Sequence, residues 1–258
     1  MKNLFDLTGK IAVVTGASSG LGMSAALAYA EYGADVALLA RRKEKLEQVA
    51  DKIREMGRKA LTVVCDVSDP ESVKSATERV LEYYGHVDIL LNNAGIATRG
   101  SVEDLSIEDW DKAMNTNVRG MYLLCKYFVP GMREQKYGKI INIASVNAII
   151  ADKSPLLARH VYNSSKAAIN GLTLGMAASY MQDGITVNSI GPGLFESEMT
   201  QDTLFKNESF LNIYNATTPA GRPGREGELN GTILYFSSDA SSYVTGQYIV
   251  VDGGASIV

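Results

Sequence analysis

Seven short, mostly apolar runs are spaced along the chain at 11–14, 36–40, 60–65, 87–91, 139–143, 185–190 and 247–251. Each is too short for an ordinary helix. Most are too continuously apolar for a strand with one wet face. They predict strands buried on both sides. Stretches of helical length separate most of the runs. Strand, helix and strand in succession make a right-handed βαβ unit. Repeated along a chain, such units give an α/β fold: a doubly wound, parallel seven-stranded sheet with helices on both faces. The chain has 258 residues. No linker, repeat or low-complexity tract divides it, so 1–258 reads as a single domain.

Glycines and caps set the expected helix ends. An Ala-rich helix after Gly22 stops at Gly33, and a charged one runs from Lys43 to about Met56, before Gly57. Ser68-Asp69-Pro70-Glu71 reads as a helix start, with the helix ending at Gly85. A long helix is expected from Glu108 to Tyr127 or beyond, with Pro130 marking a kink or break. Another carries Tyr162 and runs to about Gln182. Residues 195–216 read as short helices in a mobile flap, and 226–236 as helix.

In such folds ligands sit at the carboxyl ends of the strands. The first strand ends in Thr15-Gly16-Ala17-Ser18-Ser19-Gly20-Leu21-Gly22 and leads into a helix. Glycines at 16, 20 and 22 let backbone N–H groups approach a pyrophosphate, and the helix N-terminus favours the anion. This is a Rossmann-type dinucleotide turn. The second strand should end at the adenosine ribose, where a carboxylate selects NAD. Ala40 stands there instead, 18 residues after Gly22, and Arg41 and Arg42 follow. With no acid to repel a 2′-phosphate and two guanidiniums to bind one, NADP(H) is favoured over NAD(H). Asp66 is placed to reach the adenine edge and Val67 to pack on the ring.

Tyr162 and Lys166 lie four residues apart, on one face of a helix. An ammonium beside a phenol favours the phenolate and lowers the tyrosine pKa, which suits Tyr162 to acid–base work. Alone, the pair is a weak signal.

Together these pieces resemble the short-chain dehydrogenase/reductase family along essentially the whole chain. The matching segments are the glycine turn, Asp66-Val67, Asn92-Asn93-Ala94-Gly95, Asn117-Val118-Arg119-Gly120, Ser145, Tyr162 through Lys166, Pro192-Gly193 and Val251-Asp252-Gly253-Gly254. The resemblance implies reversible carbonyl reduction. Tyr162 would be the general acid/base, and Ser145 would orient the reacting oxygen. Lys166 would bind the nicotinamide ribose and lower the tyrosine pKa, and Asn117 would hold a relay water. Gly16, Ser18, Ser19, Gly20, Leu21 and Gly22 would meet the cofactor. Asn93, Ala94 and Gly95 would border its adenine ribose, and Ile190 its carboxamide. Pro192, Gly193 and Ser197, the last at a position where many members have threonine, would complete the site. No metal site is assigned.

One departure stands out. Ser145 and Tyr162 are 17 residues apart, a longer interval than is usual in the family. The added residues fall within 148–160 and should border the substrate. Ser154 is a rival for the orienting serine, but Ser145 ends a strand as the pattern requires.

Substrate choice is less constrained. The opening Asn3 to Lys10, Asp109-Trp110-Asp111, Arg99 and Thr218 through Arg222 resemble the gluconate 5-dehydrogenase branch. Arg99 would suit a sugar-acid carboxylate. Asn147, Ile149 and His160 are further candidates for substrate contact. The apolar Ile149-Ile150 pair suits a hydroxysteroid or cyclic ketone instead. A 3-oxoacyl-carrier-protein reductase shares the catalytic set and needs basic residues near the mouth, of which 119–136 offers Arg119, Lys126, Arg133 and Lys136. A non-catalytic dinucleotide-sensing protein is the reading from another class, and predicts loss of Ser145, Tyr162 or Lys166, all of which are present.

The formal charge of -4 and pI near 5.3 argue against a nucleic-acid partner. No run approaches the ~18 apolar residues of a membrane span, and no signal-like segment opens the chain, so the cytoplasm is the expected location. Cys65 and Cys125 read as buried and unpaired. By resemblance the expected assembly is a homotetramer, and the small face Ala167, Gly171, Leu174 and Ala178 suits close helix contact.

Overall fold

The computed structural model describes residues 3–153, 157–200 and 204–258, and only the backbone of Met199. Seven strands form one sheet: β1 (Ile11–Thr15), β2 (Asp35–Ala40), β3 (Ala60–Val64), β4 (Ile89–Asn92), β5 (Gly138–Ile143), β6 (Ile185–Pro192) and β7 (Tyr248–Val251). Their order is β3-β2-β1-β4-β5-β6-β7, and every neighbouring pair is parallel. The chain starts mid-sheet at β1, winds outward to β3, and returns to β4 on the other side. That reversal opens a crevice between the carboxyl ends of β1 and β4.

The strand pattern follows from burial on both faces. Successive side chains of a strand point to opposite sides. Ala12 and Val14 of β1 enter one core with α1 (Gly20–Glu31), α2 (Lys43–Glu55) and α9 (Asn230–Ser237). Val13 enters the other with α3 (Pro70–Tyr84), α5 (Gly120–Glu134) and α6 (His160–Tyr180). No polar face is needed, so the run stays apolar. In α2 the buried set Leu46, Val49, Ala50 and Ile53 follows helical spacing. Asp69 caps α3 by accepting from the Glu71 N–H at 3.0 Å, with Pro70 in the first turn. Cys65 and Cys125 are buried and free, as expected. Among the described residues no helix is long and apolar enough to cross a membrane.

Three expectations need correction. The long helix begins as α4 (Ile107–Met114), widens into a π-helical turn over Asn115–Arg119, and continues as α5. Pro130 does not break it, because α5 runs on to Glu134. The missing N–H would have met the Lys126 carbonyl, and both residues are exposed, so the lost bond lies on the solvent face of the helix. The helix expected from Glu226 starts only at Asn230. Gly227 has a φ of +82°, and the Glu228 carboxylate holds a turn by accepting from Arg222 and the Arg225 N–H. The flap holds α7 (Glu198–Thr200) and α8 (Glu208–Thr217).

Candidate active site

The crevice is built first by β1 and its turn. Thr15 is buried at the end of β1, where its hydroxyl donates to the Leu91 carbonyl and accepts from the N–H groups of Asn93 and Ala94 at 2.9 and 3.0 Å. The Asn93 side chain donates back to the Thr15 carbonyl at 2.9 Å. The two loops are therefore one unit. Gly16 has a φ of +65°, and at Gly22 a Cβ would stand 2.5 Å from the Gly16 carbonyl oxygen. Only glycine allows this close turn. Ser19 precedes α1 without capping it, and no acid lies in the first turn. The N-terminal N–H groups of α1 are left facing the crevice, the donor set an anion needs.

The cleft has a volume of about 530 Å³, within the usual range for a cofactor site. Gly16, Ser18, Ser19, Gly20 and Leu21 line one wall, and Arg41, Arg42, Asp66 and Val67 the adenosine end. Asn93, Ala94 and Gly95 form the floor, and Pro192, Gly193 and Ser197 the roof. Gly22 lies behind its turn, buried. Ile190 is buried in the sheet core rather than at the cleft, and its carbonyl accepts from the Ala144 N–H. Arg42 donates to the hydroxyls of Ser18 and Ser19 at 3.0 and 2.9 Å. Asp66 accepts from the hydroxyl and N–H of Ser68, and those bonds hold its carboxyl below the usual range, helped by the Arg41 charge.

At the far end Ser145, Tyr162 and Lys166 line the same cleft. Ser145 follows β5 and opens a 3-10 turn (Val146–Ala148), its Oγ accepting from the Asn147 N–H at 3.2 Å. The Tyr248 hydroxyl donates to the Ser145 carbonyl at 2.6 Å. Lys166 is 4% exposed. Its Nζ donates to the Ile143 carbonyl at 2.9 Å and lies 5.6 Å from the Tyr162 ring centroid. Burial pushes the Lys166 ammonium down to about 8. Burial also pushes the Tyr162 phenol up, against the lowering effect of a Ser145 hydrogen bond and the Arg159 charge. The sequence reading had Lys166 lowering the phenol. Desolvation of the tyrosine wins instead.

Asn117 is buried in the π-helical turn. Its side chain accepts from the Ile96 N–H at 2.8 Å and donates to the Ile96 carbonyl and Ser165 Oγ at 2.9 and 3.0 Å. It clips the loop after Gly95 to α6, one residue from Lys166. Single π turns inside helices often mark functional positions.

The four substrate candidates do not line the cleft. Arg99 is exposed on its loop, and Ile149 is 57% exposed. Asn147 bonds Ser145 rather than facing the cleft. His160 is exposed, and its Nδ1 accepts from the Val102 N–H at 3.0 Å. Its ring staples a loop. Ser154 lies outside the described residues. The lengthened segment rejoins the fold by a bridge between Gly100 and Arg159.

Several residues went unrecognised in the sequence. Lys45 stands one helical turn beyond Arg42, a spacing that could have flagged it. Glu198 meets both from 150 or more residues away, which no local pattern reveals. Arg159, three residues before Tyr162, has a buried Nε with no hydrogen-bond partner. Tyr248 reaches Ser145 only because β7 lies beside β6.

A dinucleotide cleft ending at a serine–tyrosine–lysine group defines an α/β oxidoreductase. A family model described as enoyl-(acyl carrier protein) reductase matches residues 16–256. Gluconate 5-dehydrogenase of Gluconobacter oxydans is 40% identical over 255 residues, covering 99% of this chain and 98% of the relative. The 3-oxoacyl-[acyl-carrier-protein] reductase FabG of Thermotoga maritima is 35% identical over 252 residues, covering 97% and 99%. The solved structure of a Burkholderia cenocepacia gluconate 5-dehydrogenase, in complex with NADP and tartrate, superposes with a TM-score of 0.92. It is 34% identical, covering 99% of this chain and 98% of that one. The chain belongs to the short-chain dehydrogenase/reductase family.

Proposed function

We propose that the protein interconverts a ketone and a secondary alcohol with NADP(H), and that its substrate is a keto-sugar acid of the gluconate type. The observation that carries the reaction is the gathering of Ser145, Tyr162 and Lys166 at one end of the cleft. Arg41 and Arg42 stand at the other end, with Ala40 where an NAD-selecting acid would be. The uncapped α1 N-terminus and the glycine cradle at 16 and 22 fit a pyrophosphate between them.

When bound, NADPH supplies a hydride from its nicotinamide. In reduction the Tyr162 phenol donates its proton to the carbonyl oxygen, and the Ser145 hydroxyl orients that oxygen. The Lys166 ammonium, 5.6 Å from the Tyr162 ring centroid, stands where its charge stabilises the phenolate left behind. Asn117 adjoins this pair from the π-helical turn, in the position for a bound water to link Lys166 to solvent. In alcohol oxidation the same groups run in reverse.

Arg159 favours an anionic substrate. Its buried Nε has no hydrogen-bond partner, and its charge acts on Tyr162. A substrate carboxylate reaching this guanidinium would partner it. Arg159 is thus a second candidate, beside Arg99, for the substrate carboxylate. An acidic carrier protein is less favoured. Arg133 and Lys136 are already bound to Asp183, and Arg119 to the Ser68 carbonyl. The exposed small face of Ala167, Gly171, Leu174 and Ala178 on α6 suits packing against a second copy in a homotetramer.

Steady-state kinetics on 5-ketogluconate, a hydroxysteroid ketone and a cyclic ketone, each with NADPH and NADH, test the assignment. NADPH oxidation with the keto acid is expected. Tyr162→Phe should lower kcat by about 10²–10⁴ while NADPH still binds. Turnover of only the neutral ketones would remove the sugar acid, and near-full turnover by Tyr162→Phe would remove the mechanism.

A further inference from the structure

Glu198 begins the short α7, just after the cleft roof. Its Oε2 lies 2.7 Å from the Arg42 guanidinium and accepts from the Ser19 hydroxyl at 3.1 Å. Its Oε1 accepts from the Lys45 ammonium. One carboxylate thus gathers a guanidinium, an ammonium and a hydroxyl. That donor set is what a phosphate monoester needs. It stands at the adenosine end of the cleft, which Ser19, Arg42 and Glu198 all line. The approach is close. A Cβ on Gly20 would lie 3.3 Å from the Ser197 Cβ, so the segment carrying Glu198 rests directly on the glycine turn.

We propose that Glu198 is a built-in competitor for the cofactor's 2′-phosphate, and that Lys45 joins Arg42 in the phosphate clamp. The inference rests on the NADP(H) assignment above. The carboxylate and the phosphate are alternative occupants of one set of donors. A 2′-phosphorylated dinucleotide must displace Glu198, whereas one with a free 2′-hydroxyl leaves the latch in place. The cost to the phosphorylated cofactor is the fraction of molecules in which the clamp is already filled. It is modest, because Arg42, Lys45 and Glu198 are each nearly half exposed and water screens the pairs. Their hydrogen bonds hold the Glu198 carboxyl down at about 2, so the competitor stays charged throughout the working pH range. The discriminating feature is therefore asymmetric. The clamp favours NADP(H) over NAD(H), and Glu198 limits how tightly the favoured form is held and so how readily it leaves.

Equilibrium fluorescence titration of the full chain with NADPH and with NADH tests this, using wild type, Glu198→Gln and Lys45→Met. Circular dichroism checks that each variant is folded. Glu198→Gln should tighten NADPH about three- to tenfold and NADH less than twofold. Lys45→Met should weaken NADPH by a similar factor and leave NADH unchanged. An NADPH Kd unmoved or weakened in Glu198→Gln, or tightened equally with NADH, overturns the competitor while leaving the wild-type cofactor preference standing. Wild type binding NADPH no more tightly than NADH overturns the cofactor assignment itself, and this inference with it.

Discussion

Replacing Lys166 by methionine should abolish turnover and make the protein more stable. Lys166 is 4% exposed, and its pKa falls from 10.5 to about 8 by burial alone. A depressed lysine pKa means that the native state disfavours the charge. At about 1.36 kcal/mol for each tenfold change in proton affinity, that fall is a penalty of about 3 kcal/mol at neutral pH. Methionine removes that penalty. It also removes the 2.9 Å bond to the Ile143 carbonyl, and an unsatisfied buried carbonyl costs about 1–2 kcal/mol. The net gain is about 1–2 kcal/mol, or about 2–6 °C in Tm for a domain of this size. The sign with pH follows from proton counts. Between pH 8 and 10.5 the unfolded lysine holds a proton that the folded one has lost, so wild-type stability rises with pH there. The variant lacks that rise, and its advantage should shrink by about 2 kcal/mol on going from pH 7 to about 9.5. Urea titrations of both proteins at the two pH values, at equal protein concentration, measure the difference, in which the other titrating groups cancel. A variant less stable than wild type at pH 7, or a gap independent of pH, would refute the burial account of Lys166.

Two further outcomes follow from close contacts. Gly22→Ala places a methyl against the Gly16 carbonyl oxygen and the Asn93 side chain. Overpacking of that kind costs about 1–3 kcal/mol, so calorimetry should show a lowered Tm and titration a weaker cofactor affinity; an unchanged Tm would show that the two loops yield. Tyr248→Phe loses the 2.6 Å bond to the Ser145 carbonyl. A fall in kcat of about 5–10-fold with KM and cofactor Kd within twofold would make Tyr248 a positioning residue, whereas a loss of stability alone would confine it to packing over Gly191.

What could be read from the sequence was local or periodic. The runs at 11–14 and 185–190 announced strands because burial on both faces leaves no polar alternation to confuse them. The glycines at 16, 20 and 22 announced the turn because the backbone there excludes a Cβ. Ser145, Tyr162 and Lys166 meet at the cleft end as the family resemblance implied. The misses have a common cause. Pro130 is tolerated because α5 turns it toward water, which depends on which face is buried. Glu226 to Leu229 has helical composition, yet an ion pair and a left-handed glycine hold it as a turn. The electrostatics of Tyr162 depend on how deeply it is buried, and spacing to Lys166 does not report that. Arg99 and His160 are substrate candidates by their chemistry alone; their placement, one exposed on its loop and the other accepting from the Val102 N–H, comes only from the fold.

The pairing of Gly100 with Arg159, and of Val102 with His160, ties the entry of α6 to a distant loop. The lengthened segment ahead of Tyr162 is anchored on the loop that follows β4, more than fifty residues earlier. The two stretches form one module split across the chain. Exchanging residues 148–160 for a sequence without a histidine at 160 would remove the side-chain part of that anchor, three residues or fewer from Arg159 and Tyr162. The loop at 96–105 therefore helps to set where Arg159 and Tyr162 stand, although it is remote from them in sequence.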